Sequence, residues 1–420
     1  MRILGIETSC DETAAVILEI QNGRFRIVSS VVASSVELQA KYGGIVPEVA
    51  ARKQIEFIMP VLEQVLNKAK GKRPPQMRGR QKAKLVDCVA VTHGPGLITS
   101  LRVGVETART LSYIWKKPLI GVNHLEGHIY SSLLSAKKNN FQIPISNFQK
   151  NPKFKIPAYA KASAGRQNSI FQKLPRLTFP AMALVVSGGH TELVLMRDYG
   201  KYKIIGQTLD DAVGEAFDKV AKILDLGYPG GPIIARLATQ GDKNNFELPR
   251  PMIKSGDYNF SFAGLKTAVL YKVKSKKSLQ LDGPVKGKSM EVNNLCASFQ
   301  EACVDVLVDK TIKAAEKYKV KTILLGGGVA ANESLREKLR TEVNKVNLVK
   351  KVDKGKKIIE LLMPELEFTG DNAAMIALAG YLQVTKAQNH ESTKSQKPEE
   401  KNKLLNNWKR IKVDPNLRLK

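Results

Sequence analysis

Two histidines, His124 and His128, stand four residues apart in a chain that contains only five histidines. At the start of a predicted helix, that spacing places both side chains on one face, one turn apart. Neutral imidazole is a common metal ligand, so the pair could form half of a metal site that takes a third ligand from elsewhere. Such spacing also occurs by chance, and a pair of surface histidines is the alternative. The HExxH pattern of zinc peptidases is absent, because Glu126 is the second residue after His124.

Three polar or glycine-rich turns could contact a nucleotide. Thr8–Thr13 and Gly188–Thr191 each join two predicted strands, and Gly326–Gly328 joins a buried strand to a helix. Glycine lets the backbone approach a ligand closely, and consecutive backbone N–H groups can bind an anion. Glycine turns are mostly only turns. Together, however, the three predict a nucleotide held between two lobes.

The elements that must position these residues alternate between strands and helices, which predicts an α/β fold with largely buried sheets. The predicted strands are Ile3–Glu7, Ala14–Ile20, Leu85–Thr92, Leu119–Val122, Ala181–Ser187, Leu193–Arg197 and Thr322–Leu325. The predicted helices are Val46–Lys68, Ser100–Trp115, Glu215–Leu224, Pro232–Thr239, Asn293–Tyr318 and one that begins at Asn332. Because the two halves repeat one succession of elements, we expect two copies of one α/β unit with a cleft between them.

The chain is strongly basic, with a formal net charge of +28 over 420 residues. This length suffices for two domains, and the charge indicates a polyanionic partner, usually nucleic acid. Lysine-rich stretches without helical or strand periodicity occur at 68–84, 137–176, 272–288 and after Gln388. We interpret them as loop-like or disordered insertions and a tail, which either contact phosphates or only aid solubility.

Several classes of protein are not expected from this sequence. No apolar run is long enough to span a bilayer, and the N-terminus lacks a signal-peptide pattern. The four cysteines, Cys10, Cys88, Cys296 and Cys303, show neither a CxxC motif nor the spacing of a disulfide framework. A reducing cytoplasm is therefore the expected location, without membrane association.

A series of motifs, in a fixed order, covers nearly all of the chain outside the basic stretches. They are Gly5–Thr13, Tyr42–Glu48, His93–Leu97, Asn123–His128, Val186–Leu193, Asp210–Lys219, Tyr228–Pro232, Phe260–Thr267, Leu325–Asn332 and Asp371–Met375. In these motifs the chain resembles the bacterial tRNA adenosine threonylcarbamoyltransferase family, long misnamed O-sialoglycoprotein endopeptidase.

The resemblance implies an actin-like and Hsp70-like ATPase fold of two duplicated lobes with a central cleft. The first lobe would comprise residues 1–135 and 372–388, and the second residues 179–371. A basic insertion would occupy residues 136–178, a second would lie near 272–290, and residues 389–420 would form a basic tail. The implied activity moves the threonylcarbamoyl group from threonylcarbamoyl-adenylate to N6 of adenosine 37, in tRNAs that decode codons starting with A. The products would be the modified base t6A and AMP.

The resemblance also implies roles for individual residues. The metal ligands would be His124, His128 and Asp371, a set typical of an open catalytic site that would bind one divalent ion, usually assigned as Fe²⁺ and sometimes as Zn²⁺. The substrate-binding residues would be Val185, Val186, Ser187, Gly188, Gly189, Asp218, Gly231 and Asn332. Asp11 matches an acidic residue near the phosphate and would be the catalytic helper.

From the residues alone, each of four positions has a structural alternative. Asp218 could be an exposed helix carboxylate, Asn332 and Asp371 could cap helices, and Asp11 could satisfy backbone N–H groups in its turn. Three other positions depart from the family pattern, which usually has histidine, aspartate and threonine there. They are Gln54, Ala235 and Gly370.

Partners follow from the resemblance as well. Besides tRNA and threonylcarbamoyl-adenylate, the family implies an inactive paralogue that pairs through the first lobe, near helix Val46–Lys68, and a small ATPase. A separate enzyme would make the adenylate. The sequence leaves two alternatives to the transferase: a metallopeptidase, which was the older label, and a non-enzymatic RNA-binding scaffold.

Overall fold

The computed structural model describes residues 1–69, 83–134, 162–164, 171–275, 290–352, 358–391 and 409–419. Most of each predicted basic insertion, and residues 392–408 of the predicted tail, lie outside the described residues. The chain divides into two compact units. Unit 1 comprises Met1–Pro175 and Asp371–Leu419, and unit 2 comprises Arg176–Gly370.

Each unit is built on one sheet flanked by helices. The strands are β1 (Arg2–Glu7), β2 (Glu12–Gln21), β3 (Arg24–Ser34), β4 (Cys88–Gly94), β5 (Leu119–Asn123), β6 (Ala162–Ala164), β7 (Gln172–Lys173), β8 (Ala181–Val186), β9 (Thr191–Asp198), β10 (Lys201–Gln207), β11 (Thr322–Gly326) and β12 (Glu360–Leu362). The α-helices are α1 (Val36–Gln39), α2 (Pro47–Lys68), α3 (Ile98–Trp115), α4 (His124–Ser131), α5 (Val213–Ile223), α6 (Gly230–Ala238), α7 (Ala263–Ser275), α8 (Met290–Lys317), α9 (Glu333–Val352) and α10 (Ala373–Glu391).

The sheet of unit 1 has the order β5-β4-β1-β2-β3, and the short strands β6 and β7 both pair with β3. Strand β1 is antiparallel to β2 but parallel to β4, and β4 is parallel to β5. Side chains of β1 alternate between two faces. Leu4 and Ile6 join the apolar core that includes α2 and α3, whereas Gly5 faces α10, where an added Cβ would lie 2.4 Å from the Ala373 carbonyl oxygen. Helices therefore cover both faces of this sheet.

The sheet of unit 2 repeats this plan with the order β10-β9-β8-β11-β12. Here β8 is antiparallel to β9 and parallel to β11, and β11 is parallel to β12. In both sheets, the first strand thus has one antiparallel and one parallel neighbour. The predicted duplication of one α/β unit is confirmed.

The last described segment, residues 409–419, is loop-like, as expected for the tail. It lacks regular secondary structure, but Ile411 is buried in the core of unit 1. The Asp414 amide donates to the His93 carbonyl oxygen at 2.9 Å, and the Gly96 amide donates to Pro415 O at 3.2 Å. Ile411 and these backbone contacts hold the segment against unit 1. Across the described ranges, no helix has the length and apolar character needed to cross a bilayer.

Candidate functional site

Helix α4 begins at the carboxyl end of β5, where Asn123 ends the strand and caps the helix. The Asn123 side-chain oxygen accepts hydrogen bonds from the amides of Leu125 at 2.9 Å and Glu126 at 3.4 Å. Asparagine is a favoured residue at this position because it satisfies amides that have no partner within the helix. The cap fixes His124 as the first helical residue, and His128 follows one turn later on the same face.

The two histidines meet the carboxylate of Asp371, which lies just before α10. Oδ1 of Asp371 is 3.4 Å from Nε2 of His124 and 3.2 Å from Nε2 of His128. One potential ligand atom from each residue lies within 4.8 Å of the others. Gly127 leaves room for α10 to pack on α4, because an added Cβ there would lie 2.8 Å from Cδ1 of Ile376.

The donor set fits a divalent transition metal such as iron or zinc. Both histidines are buried; among the described residues Nδ1 of His128 has no hydrogen-bond partner, and Nε2 faces the Asp371 carboxylate without the geometry of a hydrogen bond. Buried polar atoms without partners are costly, and a bound cation would satisfy Nε2. The alternative role of Asp371 as a helix cap is taken by Asn372, whose side-chain oxygen accepts from the Met375 amide at 3.0 Å.

The two histidines hold protons differently when no metal is bound. Burial by itself would lower the pKa of His124, but the carboxylates of Asp371 and Glu7 outweigh it and raise this pKa to about 9. Burial and the neighbouring His124 lower the pKa of His128. At neutral pH the metal-free cluster therefore holds its proton on His124, which metal binding must displace.

Asp11 lies in the turn between β1 and β2 and is buried, with 8% of its surface exposed. Burial raises its pKa, and the charge of Asp371 adds to this effect, whereas hydrogen bonds to Glu12, to Cys10 and to its own amide oppose it. The pKa values of Cys10 and Glu12 are also raised, first by burial and then by the charges of Asp11 and Asp371. The charge of Asp371 thus acts on Asp11, while part of the hydrogen bonding of Asp11 is to its own turn.

Gln54, one of the departures from the family pattern, supports this same turn. It is buried on α2, and its Nε2 donates to the carbonyl oxygens of Cys10 at 2.8 Å, Glu12 at 3.1 Å and Thr8 at 3.3 Å. Its position in the sequence gave no sign of this contact.

In unit 2, the predicted substrate loop is the tight turn between β8 and β9. Val185 and Val186 end β8 with fully buried side chains, so they could contact a ligand only through their backbone. The Ser187 hydroxyl accepts from the His190 amide at 3.1 Å and closes the turn. Gly188 and Gly189 are exposed, and among the described residues their amides have no hydrogen-bond partner. These two amides could therefore bind an anion.

Two other glycines allow neighbouring elements to pack on this turn. Gly327, which follows β11, has φ +92°, and an added Cβ would lie 2.2 Å from the Val186 carbonyl oxygen. At the start of α5, an added Cβ on Gly214 would lie 2.6 Å from Ser187 O. The three segments converge at the carboxyl ends of the parallel strands β8 and β11, the edge where open α/β sheets bind ligands.

The remaining predicted substrate residues also make structural contacts. Asp218 is half-buried, and its Oδ1 accepts from the Gly230 amide at 2.7 Å, so it is not a simple exposed carboxylate. The contact sets Asp218 beside the start of α6, where Gly231 has open space around its α-carbon. Asn332 does cap α9, accepting from the Leu335 amide at 3.1 Å, and its Nδ2 donates to Oε1 of Gln300 at 2.7 Å.

Comparisons with known proteins bear on the whole chain. A family model described as TsaD, tRNA N6-adenosine threonylcarbamoyltransferase, matches residues 26–147 and 164–378. A tRNA N6-adenosine threonylcarbamoyltransferase from Thermomicrobium roseum is 42% identical over 393 residues, covering 91% of each chain. Its counterpart from Bacillus subtilis strain 168 is 42% identical over 380 residues, covering 90% of each. Among solved structures, YeaZ from Pseudomonas aeruginosa aligns with a TM-score of 0.21 and 18% identity, over 31% of this chain and 46% of that one, too slight a likeness to bear on fold or function.

Proposed function

Because this chain belongs to the tRNA N6-adenosine threonylcarbamoyltransferase family, we propose that it transfers threonylcarbamoyl from threonylcarbamoyl-adenylate to N6 of adenosine 37. The tRNA substrates are those that decode codons starting with A, and the products are t6A and AMP. Among the structural observations, the cluster of the buried His124 and His128 with the half-buried Asp371 carries this proposal furthest. In support, these three residues lie together although the sequence of unit 2 separates Asp371 from the two histidines.

In the proposed reaction, the N6 amine of adenosine attacks the carbamoyl carbon of the adenylate. The bond from that carbon to the phosphate oxygen breaks, AMP leaves with the bonding electrons, and N6 loses one proton. We assign acceptance of this proton to Asp11. Its raised pKa supports that role, because a general base works best when its pKa approaches the operating pH.

The metal would be held by His124, His128 and Asp371, as either iron or zinc. When bound, it would supply Lewis acidity that polarises the carbamoyl carbonyl. The chain's own residues prepare the site by holding both Nε2 atoms toward one carboxylate oxygen in a buried setting. Low exposure strengthens their electrostatic interaction with a cation.

The adenylate would bind to unit 2 at the carboxyl ends of β8 and β11. The exposed amides of Gly188 and Gly189 suit an anionic phosphate, and Val185, Val186 and Ser187 would contact the ligand through the backbone or the hydroxyl. Asp218 and Gly231 would contact the ribose and base. Asn332 would supply another contact while it also caps α9.

The net charge of +28 supports a tRNA substrate, since phosphates dominate the affinity of proteins for nucleic acid. Adenosine 37 is unpaired next to the anticodon, where a protein can reach its edge. The lysine-rich insertions that would add phosphate contacts fall mainly outside the described residues. We place the reaction in the cytoplasm.

We further propose that α2 and α3 form the surface on which the inactive paralogue docks. Exposed apolar side chains lie on both helices, Ile55 and Met59 on α2 and Tyr113 and Ile114 on α3. A depression of about 500 Å³, lined in part by Ile55 and Ile58, opens on this surface. Apolar surface of this kind is typical of a protein interface. The small ATPase and the enzyme that makes the adenylate complete the proposed partners.

The proposal is tested by mass spectrometry of nucleosides from tRNA, in cells depleted of their own transferase and supplied with this chain and its cognate partners. We expect the native chain and an Asp309→Ala control to restore t6A, and Asp371→Ala to fail. If the native chain restored none while it still bound tRNA tightly, the RNA-binding scaffold would replace the transferase.

The metallopeptidase has less support. Oε2 of Glu126, the only glutamate near the histidine motif in sequence, accepts from Nε2 of Gln383 at 2.8 Å and is thus committed to a structural contact. Peptide cleavage by the purified chain that disappears in His128→Ala would favour that function.

A further inference from the structure

We propose that Glu7 is a positioning residue that orients His124 and fixes which of its ring nitrogens faces the metal. Glu7 ends β1 and is fully buried. Within the described part of the chain, no lysine or arginine forms an ion pair with it; the cationic partner within 4 Å is His124. A buried carboxylate is costly unless hydrogen bonds compensate it, so its surroundings indicate what it does.

Three donors converge on the Glu7 carboxylate. The Ser9 amide donates to Oε1 at 2.5 Å, and the Thr92 hydroxyl makes a short hydrogen bond to Oε2. Nδ1 of His124 lies 3.2 Å from the same Oε2. The first two contacts come from the β1–β2 turn and from β4, so they fix the carboxylate relative to the sheet. The contact with Nδ1 then holds the His124 ring in a fixed position relative to this carboxylate.

The direction of the third hydrogen bond determines the tautomer of His124. An ionised carboxylate only accepts hydrogen bonds, so it favours the form in which Nδ1 carries the proton. In the neutral ring, the form that binds a metal, Nε2 then carries the lone pair and faces Asp371, 3.4 Å away, as a metal ligand would. The Ser9 hydroxyl, 3.2 Å from Nδ1, can donate or accept and cannot select the tautomer alone.

The other histidine lacks such support. Nδ1 of His128 is buried, and no group among the described residues forms a hydrogen bond with it. Of the two imidazoles in the described chain, therefore, only His124 has a carboxylate at Nδ1, the ring nitrogen opposite the one that would face the metal. Loss of that carboxylate should weaken metal binding, although Glu7 would not touch the metal.

The test is a zinc titration of the purified full-length chain by competition with a chromophoric chelator, comparing native protein with Glu7→Gln. Glutamine keeps the shape, but its NH₂ group must face one of the three donors. We expect zinc affinity to fall about ten- to hundredfold, as is typical when the partner of a ligating histidine is lost. The matched control is Glu126→Gln, which changes another buried carboxylate, on α4 itself, and should alter the affinity less than about twofold.

A second readout separates positioning from general damage. In the zinc-bound native protein, the Nδ1 proton of His124 should give a downfield proton NMR signal, assigned by its nuclear Overhauser contact with Ser9, whose hydroxyl lies 3.2 Å from Nδ1. Glu7→Gln should shift that signal upfield or broaden it, since a neutral amide is a weaker acceptor than a carboxylate. If Glu7→Gln does not fold, Glu7→Asp replaces it, because the shorter side chain keeps the charge and loses reach to Nδ1.

The inference rests on the metal site of the proposed function, and the two can fail separately. Absence of zinc binding by the native chain, or binding unchanged in His124→Ala, would remove both. Tight native binding that is lost in His124→Ala but unchanged in the folded Glu7 variant, with an unshifted Nδ1 proton, would overturn the role of Glu7 alone.

Discussion

Nε2 of Gln54 lies 2.8 Å from the carbonyl oxygen of Cys10 and so ties helix α2 to the turn that carries Asp11. The same amide group reaches two other carbonyl oxygens of this turn, at 3.1 and 3.3 Å. An amide has two hydrogens for these three acceptors, so at least one hydrogen is shared.

Replacing this amide should loosen the turn. In Gln54→Leu, buried carbonyl groups lose their donor, and we expect the free energy of unfolding to fall by about 1–3 kcal/mol in urea denaturation. Activity should fall as well, because Asp11 would lose its fixed position. Gln64→Leu, on the same helix but away from the turn, should change stability by less than ~0.5 kcal/mol. Equal losses in the two variants would contradict the bracing role of Gln54.

Metal affinity should depend on pH through His124. Its pKa of about 9 in the metal-free protein means that the metal must displace one proton below that pH. We expect the zinc affinity to rise about tenfold per pH unit between pH 6.5 and 8.5 and to level off near 9. Chelator competition at several pH values measures this, with His190→Ala as a control for loss of a histidine outside the cluster. A flat profile would show that His124 is already neutral.

Whereas zinc affinity should rise with pH, the free energy of unfolding of the metal-free protein should fall. The folded pKa of His124 is raised from an unfolded value of 6.5 to about 9, so its stabilising contribution is fully present below pH 6.5. It is lost as the pH rises through 9. We expect His124 to account for a fall on the order of 1–3 kcal/mol in unfolding free energy between pH 6.5 and 9.5. His124→Gln should lack this part of the pH dependence, and an identical slope in both proteins would exclude the assignment.

Residues 409–419 should be displaced by a single methyl group. A Cβ on Gly94 would lie 1.8 Å from the Asp414 carbonyl oxygen, so Gly94→Ala must move the segment. We expect a loss of about 1–3 kcal/mol in stability and faster proteolysis within 409–419, followed by mass spectrometry of the fragments. Gly44→Ala, where an added Cβ meets nothing within 4 Å, is the control and should leave cleavage unchanged.

Two variants of Asn332 separate its capping role from a role in substrate binding. Aspartate is as good a helix cap as asparagine, whereas alanine is a poor one. Asn332→Ala should therefore lower stability by about 1 kcal/mol, and Asn332→Asp should not. If Nδ2 also contacts the adenylate, both variants should bind a non-hydrolysable adenylate analogue more weakly in calorimetry. Unchanged binding by Asn332→Asp would leave the residue as a cap alone.

The strands that were predicted correctly, such as β1, β8 and β11, are short runs buried on both faces, so their apolar sequence is nearly continuous. Strand β3 was missed because polar residues, among them Ser29 and Ser30, interrupt its apolar pattern. Helix α7 was missed because only Leu265 and Val269 on it are buried, which leaves too little periodicity to detect.

Part of the candidate site could likewise be predicted from the sequence, and part could not. The spacing of His124 and His128 is local and visible in the sequence, but Asp371 could be joined to them only through the family resemblance. Glu7 and Gln54 were not singled out as site residues. A glutamate that ends a strand, or a glutamine on an amphipathic helix, shows its partner only when distant segments have been brought together.

The placement of Asp371 and α10 after the whole of unit 2 also bears on synthesis at the ribosome. The nascent chain presents β1 to α4 early, but Gly5 and Gly127 pack against α10, which emerges last among the helices described. Until α10 is synthesised, part of the apolar surface of unit 1 stays uncovered, and His124 and His128 lack the Asp371 carboxylate. Unit 2 is continuous, so although it is translated second it is the first that can complete its fold.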